Sequence, residues 1–397
     1  MIRIGFLINF NKNKWLGGYN YFRNLLFVLK KFSYQKIEPV IITDNIKRLD
    51  KTAFKHNFEI LEHPYFSSSN LLKKLSNKIL LVLFGKNFFV DKFLLKNKIN
   101  IMSHSGYYGK KSKIISFQWI PDFQEFHYPI FFSSKAIFLR KLNIIMSAKH
   151  STKIILSSDA IKRDLKKINL AAYKKSVVLK HTNSIPEFKE IVNLRYLQSK
   201  YNLKKDFFYL PNHYWVHKNH IVVLKALRLM REKYKNIQII SSGYLHDHRH
   251  PDHYKFIKNY IKKNNLENNY IILGIIPTNE VMSLMYYSKA LINPSKSEGL
   301  SNTVEQAKLL NKTVILSNNP VHKEQKSKNF IFFNQDNDLE LSLILKKIYL
   351  NDIKYVKSKK KYNKLKKIEM TNQKKFSKKF EKFILKNTKE KMELILQ

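Results

Sequence analysis

The chain has 397 residues, no cysteine and a formal net charge of +45, from 74 basic against 29 acidic side chains. The missing thiols exclude a disulfide framework, thiol catalysis and cysteine–zinc sites, and 44% hydrophobic with 13% aromatic residues excludes a disordered chain. Nine of the bases are arginine and the rest lysine. An AT-rich coding sequence would produce that choice of base but not the scarcity of acids, which predicts a surface drawn to nucleic acid, anionic lipid or phosphorylated substrates.

In chain order, residues 2–8 (IRIGFLI) form a compact apolar run that predicts a buried first strand. No cleavage site follows it, so it does not read as a secretory signal. Gly17-Gly18 is expected in the loop after this strand, ahead of a helix over 19–31. Strands are expected at 40–43, 99–103, 114–119, 153–157 and 177–180, and helical segments at 68–98 and 131–149. A further helix after 157 takes Ser158 or Asp159 as its N-cap. No apolar stretch approaches the ~20 residues that span a bilayer, and the nearest, 79–90, is broken by Gly85, Lys86 and Asn87. The expectation is a soluble or surface-bound protein.

Strand–helix alternation then restarts. Strands are expected at 207–210, 237–241, 270–273, 290–293 and 314–317, with helices over 218–234, 252–264, 279–287 and 302–310. Alternation of this kind implies α/β architecture, with parallel sheets covered by helices on both faces. Because it occurs twice around a hinge near 184–204, it predicts two Rossmann-like domains facing each other, over 1–195 and 204–350. The lysine-rich tail 351–397 places Phe376, Phe380, Phe383 and Ile384 at helical spacing, which predicts an amphipathic helix packing back on the domains. Ligands of such sheets sit at the carboxyl ends of strands. Gly17-Gly18, Gly243 and the 294–303 loop all fall there.

The stretch PSKSEGLSNTVEQAK (294–308) puts Glu298 and Glu305 around a run of small polar residues that opens a helix. It resembles the signature of GT-B glycosyltransferases, specifically the retaining family 4, with a mannosyltransferase-like subfamily as the nearest pattern. The resemblance extends through FFYLPNHYWVHKNH (207–220), LGIIP (273–277) and VILSNNPVHKEQ (314–325). It runs more loosely through Gly17-Gly18, WIPDFQEFHYP (119–129) and LSSDAIKRDL (156–165). Six residues separate the glutamates here, where the usual family pattern has seven.

A nucleotide-sugar donor presents a ribose diol, a diphosphate and a sugar. Glu305 in the first helical turn suits the ribose, since one carboxylate can accept two hydroxyl hydrogen bonds. Backbone N–H groups of Gly299, Leu300, Ser301 and Asn302 at the helix start suit phosphate and sugar oxygens. The resemblance implies that Glu298 holds donor-sugar hydroxyls and that Lys218 pairs with the diphosphate, countering the charge that builds on the leaving group. His213 stands where many relatives carry an arginine, so half of a cationic clamp is either weakened or replaced, with Arg249 as the candidate substitute. His213, His217 and His220 have spacings that would permit a metal site if they shared a helix, but Pro211 and the neighbouring aromatics make 211–217 a loop. The resemblance also places Gly17, Gly18 and Gly243 near the donor. Asp122 would orient hydroxyls, and His104 and His127 are candidates for acceptor contact.

The resemblance implies transfer of a hexose from a nucleotide diphosphate sugar, GDP-mannose first and a UDP-hexose next, without a divalent metal or other cofactor. The acceptor would be a lipid-linked or oligosaccharide precursor of a bacterial surface glycan, such as lipopolysaccharide O-chain or capsule. That implies a cytoplasmic protein peripheral on the inner face of the membrane; the 68–98 segment, apolar among lysines, reads equally as a dock on that membrane or as an ordinary core-facing helix. The rival is a basic nucleic-acid- or anion-binding protein without transferase activity. Against it, lysine dominates over arginine, the usual base-reading residue, and no nucleic-acid module appears, so no specific nucleic-acid partner is expected.

Overall fold

A computed structural model describes residues 1–10, 16–49, 54, 57–67, 71–204, 206–351 and 358–396. Two parallel sheets organise it. The first holds β1 (Ile2–Leu7), β2 (Ile37–Thr43), β3 (Glu59–Glu62), β4 (Ile101–Ser105), β5 (Ile115–Ile120), β6 (Lys153–Leu156) and β7 (Ser176–Val178), in the order β3-β2-β1-β4-β5-β6-β7. The second holds β8 (Phe208–Leu210), β9 (Ile239–Ser241), β10 (Tyr270–Ile272), β11 (Leu291–Asn293), β12 (Val314–Ser317) and β13 (Phe330–Phe333), in the order β10-β9-β8-β11-β12-β13. The expected α/β architecture with two Rossmann-like sheets is therefore present.

The chain divides into two compact units. The first is Met1–Asp122, Lys135–Asn183 and Met370–Gln397; the second is Phe123–Ser134 and Ser184–Glu369. The division thus falls before the expected limit at 195, because the helix Leu194–Tyr201 buries Leu197 in the second unit's core beside Phe207 and Tyr209. The tail is one helix, Lys359–Leu396. Tyr362 near its start is buried in the second unit's core, while Phe376, Phe380 and Ile384 are buried in the first unit's. Residues 352–357, in the stretch that leads into this helix, lie outside the described set.

Local chemistry explains where elements differ from expectation. The 68–98 segment is two helices, Leu71–Phe84 and Phe88–Lys96. Gly85 between them takes φ +71°, a left-handed conformation that glycine adopts freely, and the Asn87 Oδ1 caps the second helix by accepting from the N–H groups of Phe89 and Val90. Residues 68–70 and the side chains of Leu71, Leu72 and Leu75 lie outside the described set. Ser158, rather than Asp159, is the N-cap of Asp159–Ile168; its Oγ accepts from Ile161 N–H at 3.3 Å. Gly17 and Gly18 do not form a loop. They sit in the first turn of the helix Leu16–Phe32, with Gly18 buried, and the expected loop at 11–15 is outside the described set.

Each unit buries a neutral histidine. In the first, the His104 Nε2 lies 2.6 Å from the Tyr21 hydroxyl and its Nδ1 2.9 Å from Ser103 Oγ. In the second, the His220 ring stacks on Tyr214 with centroids 4.1 Å apart, next to Tyr270 OH at 2.9 Å and the His213 carbonyl at 3.1 Å. Burial pushes both imidazoles from their ordinary range down to about 3. Between pH 6.5 and that value the unfolded chain binds a proton at each position that the folded chain does not. Their contribution to stability is therefore complete above pH 6.5 and is lost as pH falls, at about 1.4 kcal/mol per pH unit for each histidine. Urea unfolding between pH 7 and pH 5 should show this dependence, and His220→Gln should lower the second unit's slope by about 1.4 kcal/mol per pH unit, His220's own share.

Candidate functional site

In the second sheet, β8 has β9 on one side and β11 on the other, so the strand order reverses between β8 and β11. Diverging connections open a crevice at the carboxyl ends of such strands. The two loops that leave β8 and β11, 211–219 and 294–301, carry the sequence-predicted residues Lys218 and Glu298. Topology therefore brings together residues eighty positions apart.

Four contacts tie these loops. The Asn212 Nδ2 donates to Asn293 Oδ1 at 3.0 Å, and the Asn219 Nδ2 to the Pro294 carbonyl at 3.3 Å. The Lys296 N–H donates to the His217 carbonyl at 2.8 Å. Lys218 Nζ donates to Glu298 Oε1 at 2.7 Å, with the two side chains only 14% and 9% exposed. Local geometry supports the arrangement. Asn219 takes φ +56°, a left-handed position asparagine tolerates, which turns the chain from the 3-10 turn Val216–Lys218 into the helix His220–Arg231. Gly243, after β9, has φ +150°. A Cβ there would lie 2.5 Å from the Asn212 carbonyl oxygen, so glycine alone lets the 212–213 backbone approach.

A third loop completes the site. The Asn319 Oδ1 accepts from His322 N–H at 2.9 Å, while its Nδ2 donates to the Ser295 carbonyl at 2.8 Å. Glu305, in the first turn of Asn302–Leu309, is held by Gln325, whose Nε2 reaches Glu305 Oε1 at 2.9 Å and the Ser301 carbonyl at 3.0 Å. Gln325 Oε1 also accepts from Ser301 N–H at 3.3 Å. That N–H is thus already paired, which corrects the expectation that 299–302 present only unpaired backbone donors. Gly299 and Ser301 are buried, and Leu300 and Asn302 are partly buried.

One cation faces several neutral imidazoles. Burial alone would raise the Glu298 carboxyl, but Lys218, then His322, then hydrogen bonds from Lys218 and Ser295 hold it below its ordinary value, so it stays ionised. His322 is fully buried and is pushed down to about 4 by desolvation, against the opposing pull of Glu298. His213 is pushed to about 4 by burial and by Lys218, and its Nδ1 accepts from Tyr244 N–H at 2.9 Å. It is neutral and cannot serve as the second cation of a clamp. Arg249 is held elsewhere: its guanidinium lies over Phe132 and Trp215, at 4.8 and 5.4 Å, with Nε 3.5 Å from Asp247 Oδ1.

Sequence reasoning missed the orphaned donors beside Lys218. Arg249 Nη2 lies 3.4 Å from His217 Nδ1. Arginine only donates, so this nitrogen accepts and the neutral ring carries its proton on Nε2. That buried Nε2 has no partner among the described residues, nor has the buried Trp215 Nε1; the Nε2 of His322 is likewise unpaired. Buried polar atoms without partners are rare in proteins and call for a ligand or solvent to satisfy them. The metal alternative fails on chemistry, because His220 uses both ring nitrogens on Tyr270 and His213.

The remaining candidates lie outside this cluster. His104 is buried in β4 with both nitrogens engaged, so it is not available to an acceptor. Asp122 belongs to the first unit, 4.0 Å from Arg140, and Gly17 and Gly18 lie in that unit's first helix. His127 is exposed at the end of the short helix Gln124–His127, in the second unit.

Residues 198–369 match the family described as glycosyl transferases group 1. This stretch of the second unit is thus similar to a glycosyl transferases group 1 domain, over less than half of the chain. The match begins in the helix before β8 and ends in the C-terminal helix, so the matched stretch contains every residue of the Lys218–Glu298 cluster. No curated protein sequence matches the chain. Among solved structures, Anabaena HepE in complex with UDP and glucose superposes with a TM-score of 0.65 at 14% identity, over 96% of this chain and 95% of that one. A glycosyltransferase from Rickettsia africae gives 0.65 at 16% identity over 97% and 99%. WaaG, a glycosyltransferase involved in lipopolysaccharide biosynthesis, gives 0.60 at 13% over 94% and 95%. At these identities the likeness establishes the GT-B fold of two Rossmann-like units. The finer family 4 and mannosyltransferase-like assignments go beyond these matches.

Removing one partner of the buried pair in the matched stretch should be costly. Lys218→Met leaves a buried carboxylate without its cation, which is expected to destabilise the second unit by about 3 kcal/mol at pH 7. The loss should shrink at pH 5, because the carboxyl, no longer held down, takes up a proton more readily. Urea unfolding of Lys218→Met, Glu298→Gln and the double variant checks this, with the double variant recovering part of the single loss.

Proposed function

We propose that the protein is a retaining glycosyltransferase that moves a hexose from a nucleoside diphosphate sugar to the hydroxyl of a surface-glycan precursor. The observation that carries this reading is the Lys218–Glu298 pair at the switch point of the second sheet, flanked by the unpaired buried N–H groups of Trp215 and His217. A cation with spare donors beside it fits an acceptor-rich diphosphate. Glu298 and the unpaired His322 Nε2 fit a ligand bearing hydroxyls.

In this reading Lys218 leaves Glu298 for the diphosphate when the donor arrives. Glu298 is freed to accept from sugar hydroxyls, and Glu305, fixed through one oxygen by Gln325, accepts from the ribose with the other. The acceptor oxygen forms a bond to the anomeric carbon on the face from which the leaving group departs. The bond from that carbon to the phosphate oxygen breaks, and a phosphate oxygen takes the acceptor's proton. Lys218 stabilises the charge developing on the diphosphate, a role that needs no metal ion. Asp122, His127 and the Gly17-Gly18 turn are proposed to serve the acceptor side. Structures of Anabaena HepE contain UDP and UDP-glucose, which supports a UDP-hexose donor beside the GDP-mannose expected from sequence. A lipid-linked or oligosaccharide acceptor, of lipopolysaccharide or capsule type, remains part of the proposal, as does a cytoplasmic site of action.

Thermal shifts with GDP, UDP, ADP, TDP and CMP, with and without magnesium, should show stabilisation by one nucleoside diphosphate without metal, and so identify the base. Turnover of the matching sugar nucleotide should fall about a hundredfold or more in Lys218→Ala and Glu298→Ala. No shift with any nucleotide, or turnover unchanged in both variants, would return the charge-driven binding of nucleic acid to the front.

A further inference from the structure

The turn between the helices Leu71–Phe84 and Phe88–Lys96 exposes apolar side chains in a basic stretch of the first unit. Val82, Leu83 and Phe89 are 67%, 69% and 63% exposed, and Ile79, Phe84 and Phe88 are also exposed. Their neighbours Leu81, Val90 and Leu94 are buried on the opposite face. The inward side of this hairpin is thus already committed to the core, and the outward side is a second, separate apolar surface.

The turn is braced rather than loose. Lys111 N–H donates to the Gly85 carbonyl at 3.0 Å, and the Asn87 Nδ2 to the Tyr65 hydroxyl at 2.8 Å. The chain at Gly109 packs so closely that a Cβ there would lie 2.1 Å from the Gly85 oxygen. Residues 63–121 contain ten lysines and a single acid. That acid, Asp91, is buried and accepts from Ser112 Oγ at 2.8 Å. Lys86 Nζ lies 4.7 Å from the Phe88 ring centroid, and Lys110 and Lys111 are exposed on the bracing loop.

We propose that this turn docks the protein on an anionic lipid bilayer. Val82, Leu83 and Phe89 enter the acyl boundary, while Lys86, Lys110 and Lys111 meet the phosphates of the headgroups. Each part of the surface matches one layer of the bilayer interface: apolar tips gain from burial in hydrocarbon, and juxtaposed lysines gain from the negative surface potential. Two other occupants fit less well. A nucleic acid would reward the lysines, but exposed aliphatic tips gain nothing from a phosphate backbone. A second copy would set Lys86, Lys110 and Lys111 against their own copies across a two-fold contact. The proposal is independent of the donor-site reading.

The test is flotation of the full chain with vesicles of phosphatidylcholine alone and of phosphatidylcholine mixed with phosphatidylglycerol. The wild type should float with the anionic vesicles, and less so at high salt. The triple variant Val82→Ser/Leu83→Ser/Phe89→Ser should bind at least about tenfold more weakly. Lys86→Glu/Lys110→Glu/Lys111→Glu should lose the preference for anionic lipid. The apolar positions are solvent-exposed, so melting curves are expected to stay unchanged and show that the variants fold. Independently, Phe89→Trp should gain emission that shifts to the blue on anionic vesicles and is quenched by brominated lipid. Any of four results overturns the proposal: no flotation of the wild type, equal binding to neutral vesicles, a triple variant that binds as well as wild type, or dimerisation abolished by the triple variant in the absence of lipid. Nucleic acid that competes the protein off the vesicles while a Phe89→Trp signal stays unshifted would also overturn it.

Discussion

The loops at the carboxyl end of the second sheet depend on the amide of Asn293, the last residue of β11. It is 1% exposed, and a primary amide at that depth has to satisfy both its oxygen and its nitrogen within the protein. Its oxygen accepts from Asn212 Nδ2, Ser295 N–H and Ser295 Oγ, and its nitrogen donates to Ser301 Oγ at 2.9 Å. One side chain therefore fixes the loop that leaves β8, the loop that leaves β11 and the entry to the helix of Glu305. An apolar residue of the same size would leave both loops with unpaired buried groups and no common register. The Lys218–Glu298 pair can form because this hub has already set the two backbones beside each other.

The electrostatics of the site follow from burial more than from net charge. Among the described residues, a chain of +45 brings only Lys218 into an ion pair with Glu298. His213 and His322 are neutral because desolvation outweighs the stabilisation of their charged forms, and Arg249 is occupied by Asp247 and two aromatic faces. The same burial that keeps the imidazoles neutral strengthens the interaction between Lys218 and Glu298, since the pair is screened by little water. It also makes the pair exchangeable: an anionic ligand that takes Lys218 leaves Glu298 as an acceptor in search of donors.

Much of this was legible in the sequence, for identifiable reasons. Most strands were readable because strands buried on both faces of a parallel sheet are short continuous apolar runs, as at 2–8 and 314–317. The edge strand Glu59–Glu62 holds two apolar residues between two glutamates, too short for periodicity to register. Glu298, Lys218 and Glu305 were legible through the spacing of motif residues. Asn293 and Gln325 were not, although Gln325 ends one motif and Asn293 immediately precedes another, because a polar side chain's partner is set by tertiary approach and not by its neighbours in sequence. His104 failed as a surface candidate for the same reason in reverse. Its place at the end of an apolar run resembled a loop, but its φ of +53° at a register shift between β4 and β5 turns the ring inward, onto Tyr21.

Lysine is the commonest charged residue here, and its meaning changes with solvation. Lys312 is buried, and burial holds its ammonium well below the ordinary range while its Nζ donates to the backbone carbonyls of Tyr286 and Ser288. It acts as a peg between helix ends. Lys218 is nearly as secluded, but its partner is a carboxylate that a ligand can displace. Lys86, Lys110 and Lys111 remain hydrated, where isolated charges contribute little to stability and act only on a surface of opposite sign. Composition therefore announces anion affinity without saying where it resides. Three degrees of desolvation divide one abundant residue type into a buried peg, a secluded partner of a carboxylate and a hydrated surface, and only the second of these is read from a motif.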